Sequence, residues 1–212
     1  MPQSLDLFSI AVPILIVLLS LTVHEAAHAW TADRLGDPTA RLLGRTSLNP
    51  VVHIDPIGTI VLPLIAAISN FPIIVWAKPV PVNINRLRRH RQDFMLVAAA
   101  GPASNIALAA IAAVLFRMAP EASLGDSPYL GLQDVLYQAG AINIFLAVFN
   151  LIPEPPLDGG NVLAGLLPAH GAAMLDRIRP FGFIVLYALM FTGILSELIV
   201  PPAVSLIRLF FL

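Results

Sequence analysis

The sequence predicts an all-α polytopic membrane protein: a bundle of about four spanning helices, a re-entrant element and a small cytoplasmic strand-containing loop. Three observations predict it. Hydrophobic residues make up 58% of the 212 and charged residues 12%, about half the share usual in soluble chains, and the mean hydropathy is +0.84. The uncharged runs have lengths near the roughly 17 to 25 residues that span a bilayer. The basic residues gather in the loops between runs, the bias that orients membrane proteins. With no linker-like run and no internal repeat, residues 1–212 read as one integral-membrane domain. A net charge of -1 points away from a nucleic-acid surface. The chain has no cysteine, so a bound metal must rely on His and carboxylate.

The first run, Leu7 to Trp30, reads LFSIAVPILIVLLSLTVHEAAHAW and is uncharged as far as Val23. It lacks a basic n-region and a small-residue cleavage site, so it reads as a retained helix and not a signal peptide. His24, Glu25 and His28 then arrive inside the apolar pattern. Ionisable groups at membrane depth are costly and mark function. The step from His24 to His28 is close to one helical turn, which stacks both imidazoles on one face where they can share a metal. This is the H-E-x-x-H pattern, in which two His hold zinc and the Glu is the general base. Two hydrogen-bonded histidines at a helix end are the plain alternative, but that leaves the burial of three ionisable groups unexplained.

Thr31 to Arg45 is polar, contains Gly36, Asp37, Pro38 and Gly44, and reads as a turn or short strand-rich loop. Arg34, Arg41 and Arg45 assign it to the cytoplasm, and Lys78 to Asp93, with five of the twelve Lys and Arg, belongs there too. If the intervening run Pro56 to Ala77 crossed the membrane, its two basic flanks would face opposite compartments. A re-entrant element, interrupted by Pro63, Asn70 and Pro72, removes the conflict. On hydropathy alone, an ordinary spanning helix with a proline kink stays open. The remaining crossings are then Leu7 to Trp30 inward, Phe94 to Phe116 outward, Val135 to Pro153 inward and Pro180 to Ser196 outward. The acidic loop Arg117 to Asp134 falls outside. After Pro201 and Pro202, the tail Ala203 to Leu212 is too short to span and is expected along the interface.

Asn150 to Gly160 reads NLIPEPPLDGG. Its prolines end a helix and its Gly pair permits a sharp turn, which carries Asp158 on irregular backbone at a membrane boundary. Two crossings separate it from His28 and return it to the same side. A catalytic zinc takes three protein ligands and keeps one position open. His24, His28 and Asp158 supply three. Glu154 reads as a solvated loop residue. In AGPASN, Ala100 and Ser104 suit close helix packing, and Asn105 can hydrogen-bond inside the bundle. His53 is an optional metal or substrate contact, or a histidine bonded to a loop carbonyl. His90 and His170 read as surface residues, and the run RLRRHR suits anionic lipid or topology.

The motifs HEAAH (His24 to His28), GRTSLNPVVHIDPIGT (Gly44 to Thr59), AKPVPVN (Ala77 to Asn83), AGPASN (Ala100 to Asn105) and NLIPEPPLDGG together resemble the site-2 protease family of intramembrane zinc metalloproteases. The resemblance implies that Asp158 is the third zinc ligand, that Glu25 is the catalytic base, that Asn150 lies near the active centre, and that a re-entrant element follows the metal helix. Ala27 stands where many members have Gly. Many members carry a further spanning helix before the metal motif or a peptide-binding domain, and the chain is expected to be a short form without them.

The expected function is therefore an intramembrane zinc metalloprotease with one Zn2+ per chain. It would hydrolyse peptide bonds of transmembrane protein substrates within the lipid bilayer, near the cytoplasmic side of a prokaryotic plasma membrane. A non-proteolytic zinc-binding membrane protein, either a carrier or a pseudoenzyme, is the alternative. Carriers show ionisable sites repeated along a pathway, whereas here the candidate ligands cluster. The oligomeric state is not legible.

Overall fold

The computed structural model describes residues 7–62, 65, 77–120 and 131–212. Four helices are long and apolar enough to cross a membrane: α1 (Leu7–Arg34, with its apolar window over Ala11–Arg34), α3 (His90–Met118), α4 (Leu132–Asn150) and α8 (Ile194–Phe211). Shorter helices complete the chain: α2 (Thr39–Leu42), α5 (Asp158–Leu166), α6 (Ala169–Ile178) and α7 (Gly182–Phe191). Packing between the spans relies on small side chains, as expected where lipid removes the hydrophobic drive for association. α3 turns Gly101, Asn105, Ala109 and Ala112 inward at i, i+4 and near-i+4 spacing.

Two apolar clusters fix the spans antiparallel. Near one end, Phe211 of α8 packs edge-on against Phe116 of α3 and Tyr137 of α4, with ring centroids 5.3 Å apart in both pairs. At the other, Leu195 of α8 packs with Ile152 and Leu157, which follow α4, and with Leu186 of α7. The C-terminal part of α1, the start of α3 and the segment after α4 therefore share one end of the bundle.

The last span differs from the expectation. Pro180 to Ser196 is not one helix: it holds a 3-10 turn at Arg179–Phe181, then α7, then a break at Gly193, whose φ of 78° is left-handed backbone that glycine adopts freely. The helix that can span begins at Ile194 and runs through Pro201 and Pro202. Proline is tolerated in such helices when surrounding groups re-satisfy the freed backbone groups, here the carbonyls of Glu197 and Leu198, four residues before each proline.

Among the described residues there is no strand. The stretch read as strand-rich continues α1 to Arg34, turns at Gly36, and forms the helical turn α2. Asp37 is fully buried and organises it, accepting from Thr39 N and Thr39 Oγ1 on one oxygen and from Asn83 N at 2.6 Å on the other. Beyond it, Asn49–Pro50 and Asp55–Pro56 each start a short helical turn, the side chain accepting from backbone N–H groups while proline takes the first position. Most of the expected re-entrant run, including Pro63, Asn70 and Pro72, lies outside the described residues, as does much of the acidic loop after Arg117. The flanks of that run meet: Arg88 N donates to Leu35 O at 3.3 Å, alongside the Asp37 to Asn83 contact.

Candidate metal centre

α1 presents His24, Glu25 and His28 where it packs on α3, and all three are at most 9% exposed. A helix-forming run with no interruption between Val23 and Trp30 fixes the imidazoles one turn apart. The rings stand nearly perpendicular, at 85°, with centroids 4.7 Å apart. Both lie over Gly101 of α3, where a methyl group would fall well inside van der Waals contact with the two Nε2 atoms. The third member arrives at the start of α5: Asp158 Oδ2 is 3.0 Å from His24 Nε2 and 3.3 Å from His28 Nε2.

The hydrogen-bond partners behind the rings fix which nitrogens carry protons. His28 Nδ1 lies 2.7 Å from Val97 O; a backbone carbonyl only accepts, so Nδ1 bears the hydrogen and Nε2 a lone pair in the neutral ring. For His24 the same result follows through three side chains. Asn143 Nδ2 donates to Ala139 O and to Ser20 Oγ, which fixes Asn143 Oδ1 as the atom facing Asn105. Asn105 Nδ2 donates to that oxygen at 2.8 Å, which turns Asn105 Oδ1 toward His24 Nδ1 at 2.6 Å. A single backbone carbonyl in α4 thus sets the tautomer of a histidine in α1.

With both rings neutral, two imidazole lone pairs and a carboxylate oxygen converge. Asp158 Oδ2 is buried, and in the neutral rings the nitrogens that face it at 3.0 and 3.3 Å carry no hydrogen for it to accept. Acceptors brought this close in a dry setting are stabilised by positive charge between them, which a bound metal ion would supply. Tetrahedral coordination by N and O at about 2.0 to 2.1 Å gives donor separations of about 3.3 Å, near those found. One ligand atom from each of His24, His28 and Asp158 lies within 4.8 Å of the others, so the group could hold a metal ion.

The other candidates are distributed as follows. Glu25 stands outside the donor group, and its Oε2 accepts from Val80 N at 3.0 Å. Asn150, at the end of α4, donates from Nδ2 to Leu146 O of its own helix and does not reach the three donors in this state. His53 Nε2 donates to Ser47 O at 2.8 Å, the loop-carbonyl arrangement, and His90 Nδ1 donates to Ile84 O. Glu154 is not simply solvated: its Oε1 is buried without a partner, and burial pushes its carboxyl up. Sequence reasoning did not single out Gly101, Asn143, Ser20 or the Val80 N–H. For Asn143 a signal existed, an amide side chain in an otherwise apolar span. For Gly101 the small-residue run AGPASN was such a signal, since it suits close helix packing; for the backbone N–H there was none.

The family model described as Peptidase family M50 matches residues 12–193. The chain is 36% identical over 192 residues to a Bacillus subtilis protein named "Putative zinc metalloprotease YwhC", a match covering 89% of this chain and 84% of that protein. It is 29% identical over 184 residues to "Putative zinc metalloprotease Rip2" of Mycolicibacterium smegmatis, covering 85% of this chain and 66% of that one. The Mycobacterium tuberculosis H37Rv protein of the same name is 30% identical over 183 residues, covering 84% and 66%. The chain accordingly spans about two thirds of the length of these Rip2 proteins. No solved structure matches.

Proposed function

The chain belongs to peptidase family M50, the site-2 protease family, and from that premise we propose that it is an integral-membrane zinc endopeptidase that cuts transmembrane protein substrates near the cytoplasmic face of a bacterial plasma membrane. The observation that carries this reading is the convergence of His24 Nε2, His28 Nε2 and Asp158 Oδ2 into one group that could hold a metal ion, beside the carboxylate of Glu25 in an apolar bundle. His24, His28 and Asp158 would hold one Zn2+. When bound, zinc supplies a Lewis acid and acidifies water.

The chain's own groups do the rest. Asn105 and Val97 O hold the ring Nδ1 protons, which keeps both Nε2 lone pairs aimed at the site. Glu25 takes a proton from water at its free carboxylate oxygen and delivers it to the leaving nitrogen. Asn150 serves as a donor to extended substrate once its amide swings from Leu146 O. Apolar walls limit water entry, so hydration comes from the end where the basic loops lie. The meeting of Leu35 and Asp37 with Arg88 and Asn83 supports re-entry of Pro56 to Ala77, since its flanks share one end of the bundle. Clustering of the donors in one group, and not along a path, supports the enzyme over a carrier.

The test is Glu25→Gln in the full chain. Purified in detergent, it should keep about one zinc per chain while losing cleavage, by the roles such motifs assign. Substrates are found by comparing membrane proteomes of cells making the wild type and the variant. Full activity in Glu25→Gln overturns the mechanism. Cysteines introduced at Thr39 and Arg88 should label from the same side of the membrane, and opposite-side labelling removes the re-entrant element.

A further inference from the structure

Between the described part of the expected re-entrant run and α3, residues 77–83 run extended past the metal helix as a strap pinned at both ends. At its start Lys78 N donates to His53 O at 2.9 Å, while the Arg45 guanidinium donates to the carbonyls of Lys78 and Pro79. At its end Asn83 N donates to the buried Asp37. Arg45 is itself only 5% exposed; burial presses its pKa down, against the opposing charge of Glu25. Apolar contacts among Val82, Leu87, Ala32 and Leu35 seal the strap to the end of α1.

At the centre of the strap the sequence is Pro79–Val80–Pro81. Proline has no N–H, so across these three residues Val80 carries the one backbone donor. That donor points at Glu25 Oε2, 3.0 Å away. A carboxylate has two equivalent oxygens and a freely turning end, so a base on a single helix would offer either oxygen, in a range of directions, to the water it must deprotonate. A backbone N–H held by three separate clasps removes that freedom. The prolines matter twice, because they stiffen the strap and withhold any neighbouring N–H that could compete for the carboxylate.

We propose that Val80 is a positioning residue for Glu25: its N–H, held in place by Arg45 and Asp37, fixes Oε2 and leaves Oε1 as the oxygen that exchanges the proton. This rests on the reading of Glu25 as the base. The group ties the conformation of the 77–83 strap to the competence of the catalytic helix, so displacement of the strap misaims the base without disturbing the donors for metal.

Val80→Pro tests it, because Val80 already precedes a proline and is confined to extended backbone, so the substitution deletes the N–H with little other change. With a fluorogenic transmembrane peptide in detergent as probe, zinc-loaded Val80→Pro should lose about 10- to 100-fold in kcat, part of what a positioned base contributes, with KM within about twofold and zinc content unchanged. Val80→Ala keeps the N–H and should recover most of that loss. A Val80→Pro variant with wild-type kcat, or an Ala variant as impaired as the Pro one, overturns the proposal. A second measurement needs no turnover: in the metal-free full chain labelled with 15N-valine, Glu25→Ala should shift the Val80 amide proton upfield and speed its exchange. An unmoved Val80 amide overturns the positioning role. Absence of cleavage by the wild type, with the amide response intact, sinks the protease reading and leaves this contact standing.

Discussion

Gly101 of α3 faces the imidazoles of His24 and His28, whereas Gly140 of α4, toward the other end of the bundle, faces the ring of Phe211. At both places a missing side chain lets a ring lie against a helix backbone. Around Gly140 the setting is aromatic: the ring of Phe211 faces the glycine and packs edge-on against Phe116 and Tyr137. Around Gly101 the rings turn their Nε2 atoms to the half-buried carboxylate of Asp158, and a chain of amides lies behind His24 Nδ1. Close approach is therefore a packing device that serves either end, and the chemistry resides in what orients the rings.

The comparison is broken most completely at Asp158. Asp158→Ala removes one of three donors and should weaken zinc binding by more than about 100-fold, beyond the usual cost of losing an outer-shell partner, and abolish cleavage. Glu154→Gln, four residues earlier, should change zinc affinity little. A Glu154 variant that alone loses zinc would reverse the assignment, as would an Asp158→Ala chain that keeps its metal through dialysis.

Next come the two glycines. Alanine gains about 1 kcal/mol of helix propensity over glycine, but overpacking costs about 1 to 3 kcal/mol, so either substitution should leave net destabilisation of up to about 2 kcal/mol. The readouts should then diverge. Gly101→Ala pushes both Nε2 atoms from the site, and zinc affinity should fall at least about tenfold, since outer-shell displacement alone costs that much. Gly140→Ala should lower the thermal midpoint with zinc stoichiometry intact. If Gly140→Ala loses zinc as Gly101→Ala does, the two ends are coupled through α3 and α4 and the contrast drawn between them fails.

How much of this was legible follows from which residues speak in a sequence. His24, His28 and Asp158 did, because an i, i+4 step is local geometry and because a carboxylate beside a Gly pair is conspicuous after an apolar run. The alternation of spans was legible from basic loops, and the structure adds that those loops touch. The last crossing was misplaced because Pro201 and Pro202 read as a stop, whereas in a spanning helix proline is tolerated and the helix runs through both. Of the turn or short strand-rich loop read into Thr31 to Arg45, the turns at Gly36 and Gly44 are present and the strand is not, because Asp37 accepting from Thr39 draws the chain into a helical turn. Gly101 and the Val80 N–H carry no side-chain chemistry at all, so only the fold gives them a role.

Asn105 sits one bond behind the site. Asn105→Ala deletes the acceptor that holds His24 Nδ1–H, and zinc affinity should drop about 10- to 100-fold, the range for partners of metal-bound imidazoles. Competition with a chromophoric chelator measures it. An unchanged affinity would mean that packing against Gly101 alone orients the ring.

The finest test is one bond further back. Asn143→Ala leaves His24 and its partner in place but removes what dictates the orientation of Asn105, because Asn105 Nδ2 loses its acceptor at Asn143 Oδ1 and Ser20 Oγ loses its donor. The Asn105 amide can then flip, turning its NH2 toward Nδ1 and favouring the tautomer that puts a proton on Nε2, in the way of a metal. Flipped and unflipped states should be mixed, so the loss in zinc affinity should stay below about tenfold, smaller than for Asn105→Ala. Two buried groups left unpaired should cost about 1 to 3 kcal/mol each in stability, so for this residue the unfolding midpoint moves more than the metal affinity. If Asn143→Ala weakens zinc as much as Asn105→Ala, the relay acts as one unit and the carbonyl of Ala139 is as much a part of the centre as Val97 O. If it weakens zinc not at all, the orientation of Asn105 is set by His24 itself, and α4 serves the metal end of the bundle by packing alone.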